Sequence, residues 1–156
     1  MKATAEIERV LDSSVGKLWD GSSETFPFVH YSGPLRIALA SVRRNGQLVG
    51  GLEAIETLLQ KEQTGLQKVQ REPLVGERSQ VASRLLLLAN DGSERFYRSA
   101  ESMQRRFGRR VLLCRLDVAG EVLGSFFGKN SAVKALLVTR KELVSRVLHS
   151  LVSPTE

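Results

Sequence analysis

The sequence predicts a single α/β domain built as a three-layer α/β/α sandwich, in which helices cover both faces of a central sheet. Two observations predict this class. Short apolar segments alternate with amphipathic segments of helical period through the second half of the chain, an order typical of a sheet covered by helices. The chain has 156 residues, a length that fits one domain with its own hydrophobic core.

The N-terminal segment 1–33 is expected to pack on this domain as an extension. Residues 3–18 carry apolar side chains at helical spacing and predict a helix, which a glycine-serine run then ends. The aromatic run 25–31 predicts an extended segment. Its expected anchors are Trp19, Phe26 and Phe28.

The next part of the chain predicts a helix, a strand and a second helix. The first helix, 35–44, ends at Asn45-Gly46, a pair typical of helix C-termini. A short strand over 47–49 precedes Gly50-Gly51, which opens the next helix. The polar, glutamine-rich segment 62–83 lacks clear periodicity and is predicted to be a long loop or a partly helical excursion.

Three strand–helix pairs complete the chain. The all-apolar run 85–89 is typical of a strand buried on both faces of a sheet. Ser93 follows a turn and is expected to cap the next helix through its side chain. The strands are predicted at 85–89, 110–116 and 133–139, and the helices at 94–107, 120–127 and 140–152.

Charge and cysteine content limit the class of partner and compartment. Lysine and arginine number 23 against 17 acids, a net charge of +6 that favours an anionic partner, nucleic acid before a membrane surface. The alternative is a basic protein without an anionic partner. With one cysteine there is no internal disulfide, so we expect a reducing intracellular compartment, cytoplasm or nucleus, although an organelle also fits. No apolar run is long enough for a membrane helix, and no membrane partner is expected.

Catalytic and metal-binding patterns are absent from the sequence. Cys114 lies in an apolar strand and is expected to be a buried thiol, while His30 and His149 are isolated, so no metal site is predicted. No phosphate-binding loop or nucleophile motif occurs, so we expect neither an enzyme nor a cofactor. Asp91 and Glu94 flank Ser93, where a helix cap explains them better than a carboxylate site does.

Three motifs occur in a recognisable order from residue 35 onward. A helix with basic residues at its end is followed by a short strand between two glycines. A four-residue apolar strand is followed by a small and acidic turn. A Leu-Gly-x-x-x-Gly motif then precedes another apolar strand. The residues concerned are Gly46 and Gly50, then Ala89-Asn90-Asp91, then Leu123, Gly124 and Gly128.

Through these motifs the chain resembles the ribosomal protein L7Ae family and its short bacterial paralogues. The resemblance implies an L7Ae-type sandwich that binds kink-turn RNA in ribosomes, small nucleolar particles or RNase P. It divides the chain into the extension 1–33 and an RNA-binding domain over 34–153, with an insertion at 62–83. The implied function is a structural ribonucleoprotein subunit, whose partners are structured ribosomal or small non-coding RNA and other proteins of the particle.

The resemblance also implies where RNA would bind. In the family, the start of the third helix and the loop after the third motif contact RNA, and glycines at such a helix start let a phosphate approach the backbone. Arginine supplies a planar fork suited to phosphate. The expected RNA-binding residues are Arg43, Arg44, Gly46, Gln47, Gly50, Gly51, Glu53, Lys129, Asn130 and Ser131.

Several of these residues also have purely structural explanations. Gly50-Gly51 would make the turn in any case, and arginines at a helix C-terminus are favoured by the helix dipole. Leu52 stands where the family has asparagine, and Glu56 where it has lysine, which changes the expected kink-turn contacts. A second function is therefore a non-catalytic protein-binding scaffold subunit that has lost specific RNA reading. A third, less favoured, is a nucleotide-binding enzyme.

The densest basic cluster lies elsewhere in the chain. Four arginines within six residues would either extend the RNA footprint or form a solvated helix end. This secondary patch comprises Arg105, Arg106, Arg109 and Arg110.

Overall fold

The computed structural model of the chain describes residues 2–69, 77–128 and 131–152. The helices are α1 (Lys2–Ser13), α2 (Gly33–Arg44), α3 (Leu52–Val69), α4 (Arg78–Val81), α5 (Glu94–Phe107), α6 (Gly120–Gly124) and α7 (Lys141–Ser150). The strands are β1 (Val15–Gly16), β2 (Phe26–Val29), β3 (Leu48–Gly50), β4 (Arg84–Leu88), β5 (Val111–Leu116) and β6 (Ala135–Val138). Short 3₁₀ turns follow α5, at Gly108–Arg110, and α6, at Ser125–Phe127.

The strands form one mixed sheet in the order β1-β2-β5-β4-β6-β3. Strands β2, β5 and β4 are parallel, whereas β6 runs antiparallel to both β4 and β3. Strands β2, β3, β4 and β5 therefore all end at the same side of the sheet, which we term the carboxyl edge. The residues that follow these four strands lie along this edge, although they are far apart in sequence.

Helices pack on both faces of the sheet. Along β4, Leu85 and Leu87 belong to one core cluster with α1, α2 and α7, while Leu86 and Leu88 belong to the other with α3 and α5. Burial of one such side chain contributes about 1.5–3 kcal/mol relative to full exposure. The predicted α/β class, with helices on both faces of the sheet, is confirmed.

The N-terminal segment is part of the sheet. Residues 15 and 16 pair with β2, so α1 ends at Ser13 and not at residue 18 as predicted. The indole of Trp19 and the hydroxyl of Ser22 both donate to the carboxylate of Glu101, at 3.0 and 2.8 Å. Because the Glu101 side chain on α5 is only 4% exposed, these bonds hold the segment to the helix at a buried point.

The segment 62–83, predicted to be a loop or partly helical, begins as helix, since α3 continues to Val69. The carboxylate of Glu62 binds Arg84 at 2.9 Å and Arg110 at 3.2 Å, joining α3 to the start of β4 and to the 3₁₀ turn after α5. Residues 70–76 lie outside the described part of the chain. The local pattern did not predict this helix end because the contacts that hold it come from distant charged residues and not from apolar periodicity.

Candidate nucleic-acid interface

At the carboxyl edge, the end of β3 meets the 3₁₀ turn that follows α6. A Cβ added at Gly50 would lie 2.8 Å from the Phe127 ring and 3.1 Å from a methyl group of Val133, so this approach requires glycine. The two loops expected to contact RNA are therefore neighbours in space. Lys129 and Asn130, which follow this turn, lie outside the described residues.

Arg43 joins the end of α2 to the same turn. Its Nε donates to the carbonyl of Phe126 at 3.1 Å, and its guanidinium lies 5.1 Å from the centroid of the Phe127 ring. Arg44 is also exposed, and none of the ion pairs between described residues involves it. Arg43 thus keeps positive charge at the surface beside the turn, and Arg44 adds a second exposed positive charge at the end of the same helix.

The backbone N–H of Gly51, at the start of α3, was expected to face a phosphate, but it has a partner within the protein. The N–H of Gly51 donates to the carbonyl of Ala135 at 2.9 Å, so it supports β6 and does not meet a ligand. Gly51 has a φ of 94°, a conformation that favours glycine. The N–H groups that helix geometry leaves without an intrahelical acceptor are those of the next three residues, 52–54.

Gly46 and Gln47 lie away from the carboxyl edge, at the start of β3. The side-chain oxygen of Gln47 accepts a hydrogen bond from the hydroxyl of Thr139, and its carbonyl accepts one from the Thr139 N–H. Gln47 therefore supports the pairing of β3 with β6, and its expected RNA contact is not favoured. Glu53 and Ser131 are exposed at the carboxyl edge.

The two departures from the family pattern have structural roles. Leu52 is half-buried and packs against the core cluster shared by α3 and α5. Glu56 binds Arg106 at 2.6 Å, so its negative charge is offset by that arginine.

The secondary basic patch is largely occupied by internal contacts. Arg105 binds Glu24 and Glu101, while Arg106 binds Glu56. The Arg110 side chain is 7% exposed and donates to Glu62 and to the carbonyl of Leu59, which makes its assignment to a surface patch wrong. Arg109 remains exposed at the helix end. The local density of arginines did not reveal these partners, because they lie on other elements.

A second cluster at the carboxyl edge was missed from the sequence. His30 follows β2, Asp117 follows β5, and the Nδ1 of His30 lies 2.8 Å from the carboxylate of Asp117. The Tyr31 N–H donates to the other carboxylate oxygen at 2.6 Å. The two residues are 87 positions apart in sequence. The sequence feature that could have predicted their contact is that each directly follows a strand, and these two strands pair in parallel.

Hydrogen bonds govern the ionisation of Asp117. Burial alone would raise its pKa, but hydrogen bonds from His30 and from the Tyr31 N–H together outweigh burial, so the pKa lies below its usual value. The carboxylate is therefore ionised and can only accept hydrogen bonds, which places a proton on the Nδ1 of His30.

The described part of the chain shows neither a grouped set of metal ligands nor a membrane-spanning helix. No three His, Cys, Asp or Glu side chains there are grouped so as to hold a metal ion. None of the described helices has the length and apolar character needed to cross a membrane.

Compared with known proteins, the chain matches no family model, and no curated protein matches it significantly.

Proposed function

We propose that the protein is an RNA-binding structural subunit of a ribosome or another ribonucleoprotein particle, and a divergent member of the L7Ae type. The observation that carries the proposal is the approach of Gly50 to Phe127. It brings the start of α3, the turn after α6 and the exposed end of α2 together on one side of the molecule. The proposed RNA surface comprises Arg43, Arg44, residues 52–54, residues 125–128 and Ser131.

Electrostatics supports an RNA backbone as the ligand of this surface. Arg43 and Arg44 keep exposed positive charge there, and the first turn of α3 adds the partial positive charge of a helix N-terminus. Contacts to phosphate position a protein on nucleic acid without reading its sequence. The excess of 23 basic over 17 acidic residues favours the same class of partner.

The surface favours recognition of RNA shape over recognition of bases. Leu52 is half-buried against the core and has no hydrogen-bonding side chain, so it would not make the base contact that asparagine makes in the family. A folded RNA would then be selected by the spacing of its phosphates and its 2′-hydroxyls. This recognition is compatible with a kink-turn-like RNA that other proteins of the particle also hold.

RNA affinity measured against salt tests the proposal. We expect the protein to bind a kink-turn RNA more tightly than an unstructured RNA of equal length, with a steep loss of affinity as salt rises. The variant Arg44→Glu removes a phosphate contact, so we expect about tenfold weaker binding and a salt slope reduced by about 1. Fluorescence anisotropy measures both quantities.

Arg9→Glu is the matched control. Arg9 is exposed on α1, whereas Arg44 is at the end of α2, and α7 packs against both helices. The variant therefore makes the same charge change on a different helix, outside the proposed RNA surface. Its RNA affinity should stay close to that of the parent protein. Equal losses in both variants would mean that only net charge matters. A shallow salt slope without preference for folded RNA would contradict the proposal and support the protein-binding scaffold.

A further inference from the structure

A cavity of about 450 Å³ opens at the carboxyl edge beside β2 and β5. Its volume falls within the range of small-molecule sites in proteins, about 300–1,000 Å³. It is distinct from the proposed RNA surface, since β4 and β6 lie between β5 and β3 in the sheet. Its polar lining includes Ser13, Ser14, His30, Asn90, Arg115 and Asp117.

The topology of the sheet explains why a crevice forms here. The helix after β4 is α5, which packs on one face of the sheet, whereas Leu123 of the helix after β5 belongs to the core of the opposite face. Neighbouring parallel strands whose connections leave to opposite faces form a crevice outside their carboxyl ends, where ligands bind in open α/β sheets. Asn90 follows β4 and Asp117 follows β5, so both line this crevice.

His30 is held in a fixed orientation at the rim of the cavity. Its Nδ1 faces the Asp117 carboxylate at 2.8 Å, and Asp117 is itself held by the Tyr31 N–H. Because the two ring nitrogens lie on different sides of the imidazole, Nε2 points away from the carboxylate. The His30 side chain is 74% exposed, so a ligand can reach this nitrogen. In a complex with an anionic ligand, the ring would donate from Nδ1 to Asp117 and from Nε2 to the ligand.

Arg115 places a positive charge in the lining of the cavity. Its guanidinium lies 4.5 Å from the centroid of the Phe28 ring and 5.8 Å from that of Tyr97, and no ion pair between described residues involves it. Its charge balances that of Asp117, the acidic residue of the lining. The remaining lining combines hydroxyl and amide groups with apolar side chains, which suits a sugar or a base beside a phosphate.

From these observations we propose that the cavity binds a nucleoside monophosphate unit, with the phosphate at His30 and Arg115 and the nucleoside against the half-buried side chains of Val10 and Phe28. The unit is supplied either as a free nucleotide or as one nucleotide of an RNA strand. The proposal does not rest on the proposed RNA surface, because its residues and its strands are different.

Two-dimensional NMR of the full chain tests this site, with 5′-AMP and a single-stranded hexanucleotide as probes. We expect both imidazole resonances of His30 to shift with added 5′-AMP, while those of His149 on α7 stay in place. His30→Ala should weaken 5′-AMP binding about tenfold, and Asp117→Asn should weaken it several-fold by releasing the ring. His149→Ala is the matched control and should bind as the parent protein does.

The source of the nucleotide follows from the two probes. Tighter binding of 5′-AMP than of the hexanucleotide supports a free nucleotide, and the reverse supports an RNA strand. Unmoved His30 resonances with both probes, in protein whose spectrum is that of a folded chain, would overturn the proposal, as would equal losses in His30→Ala and His149→Ala. The Arg44→Glu variant should bind 5′-AMP normally, which separates failure of this site from failure of the RNA surface.

Discussion

Asp91 shows at the scale of one residue how an expected cap differs from the observed one. Ser93 caps α5, accepting from the Phe96 N–H as predicted, whereas Asp91 accepts from the Gly120 N–H at 3.0 Å and so caps α6. Lys134 approaches the same carboxylate at 3.4 Å. The hydrogen bond from Gly120, aided by Lys134, holds the pKa of Asp91 below its usual value.

This lowered pKa predicts a loss of stability in acid. A carboxyl group whose pKa is lower in the folded state stabilises the fold above its unfolded-state pKa, and the contribution disappears as pH falls through the folded-state value. We expect the parent protein to lose more free energy of unfolding between about pH 5 and about pH 3 than Asp91→Asn does. Urea unfolding at the two pH values measures the difference. Asp20→Asn, which changes an exposed carboxylate on a loop, should behave as the parent does.

Cys114 was predicted to be a buried thiol, and this is confirmed, because it is 1% exposed in β5. Burial raises the pKa of its thiol to about 12. Since the thiolate is the reactive form, we expect native protein to react very slowly with a thiol reagent near neutral pH and to react fully once unfolded in urea. Stoichiometric labelling of the folded protein within minutes would contradict this placement.

At the scale of the element, apolar periodicity predicted the core elements well. The helix predicted at 94–107 matches α5, and the predicted strand 110–116 differs from β5 by one residue. Both elements have buried side chains at regular intervals, so their local pattern carries the information. The end of α3 was missed because charged partners from β4 and the turn after α5 support it.

The ion pairs of Glu62 give a test of this helix extension. Glu62→Gln removes the charge that faces Arg110, whose side chain is 7% exposed. Breaking a buried pair leaves an uncompensated charge, so we expect a loss of about 3 kcal/mol in the free energy of unfolding. Glu53→Gln on the exposed first turn of α3 is the control and should change stability little. Similar urea midpoints for both variants would argue against the network.

At the scale of the whole molecule, the N-terminal segment completes the sheet. It supplies β1 and β2, and its Leu11, Leu18 and Val29 are buried in the two core clusters. A chain without residues 1–33 would leave β5 as an unpaired edge strand and open both cores. We expect this truncated protein to aggregate or to lose cooperative thermal unfolding, as size-exclusion chromatography and circular dichroism would show. A soluble truncated monomer with the parent Tm would make the segment a dispensable addition.

The sequence by itself determined the kind and order of most elements, the α/β class and the buried position of Cys114. The spacing of apolar side chains can be recognised from neighbouring residues alone. In β4, for example, burial on both faces of the sheet goes with an uninterrupted run of leucines. The net charge and the order of the motifs, on which the proposed RNA-binding function rests, are also features of the sequence. The function itself remains a proposal.

Only the tertiary structure decided which residues meet. The order of the strands brings His30 to Asp117 and Gly50 to Phe127, and it turns Arg110 from a surface charge into a buried partner of Glu62. These contacts join residues that are distant in sequence and have no shared period, so no local pattern encodes them. The physical reason is that pairing of strands and ions depends on where the whole chain places them, not on the residues beside them.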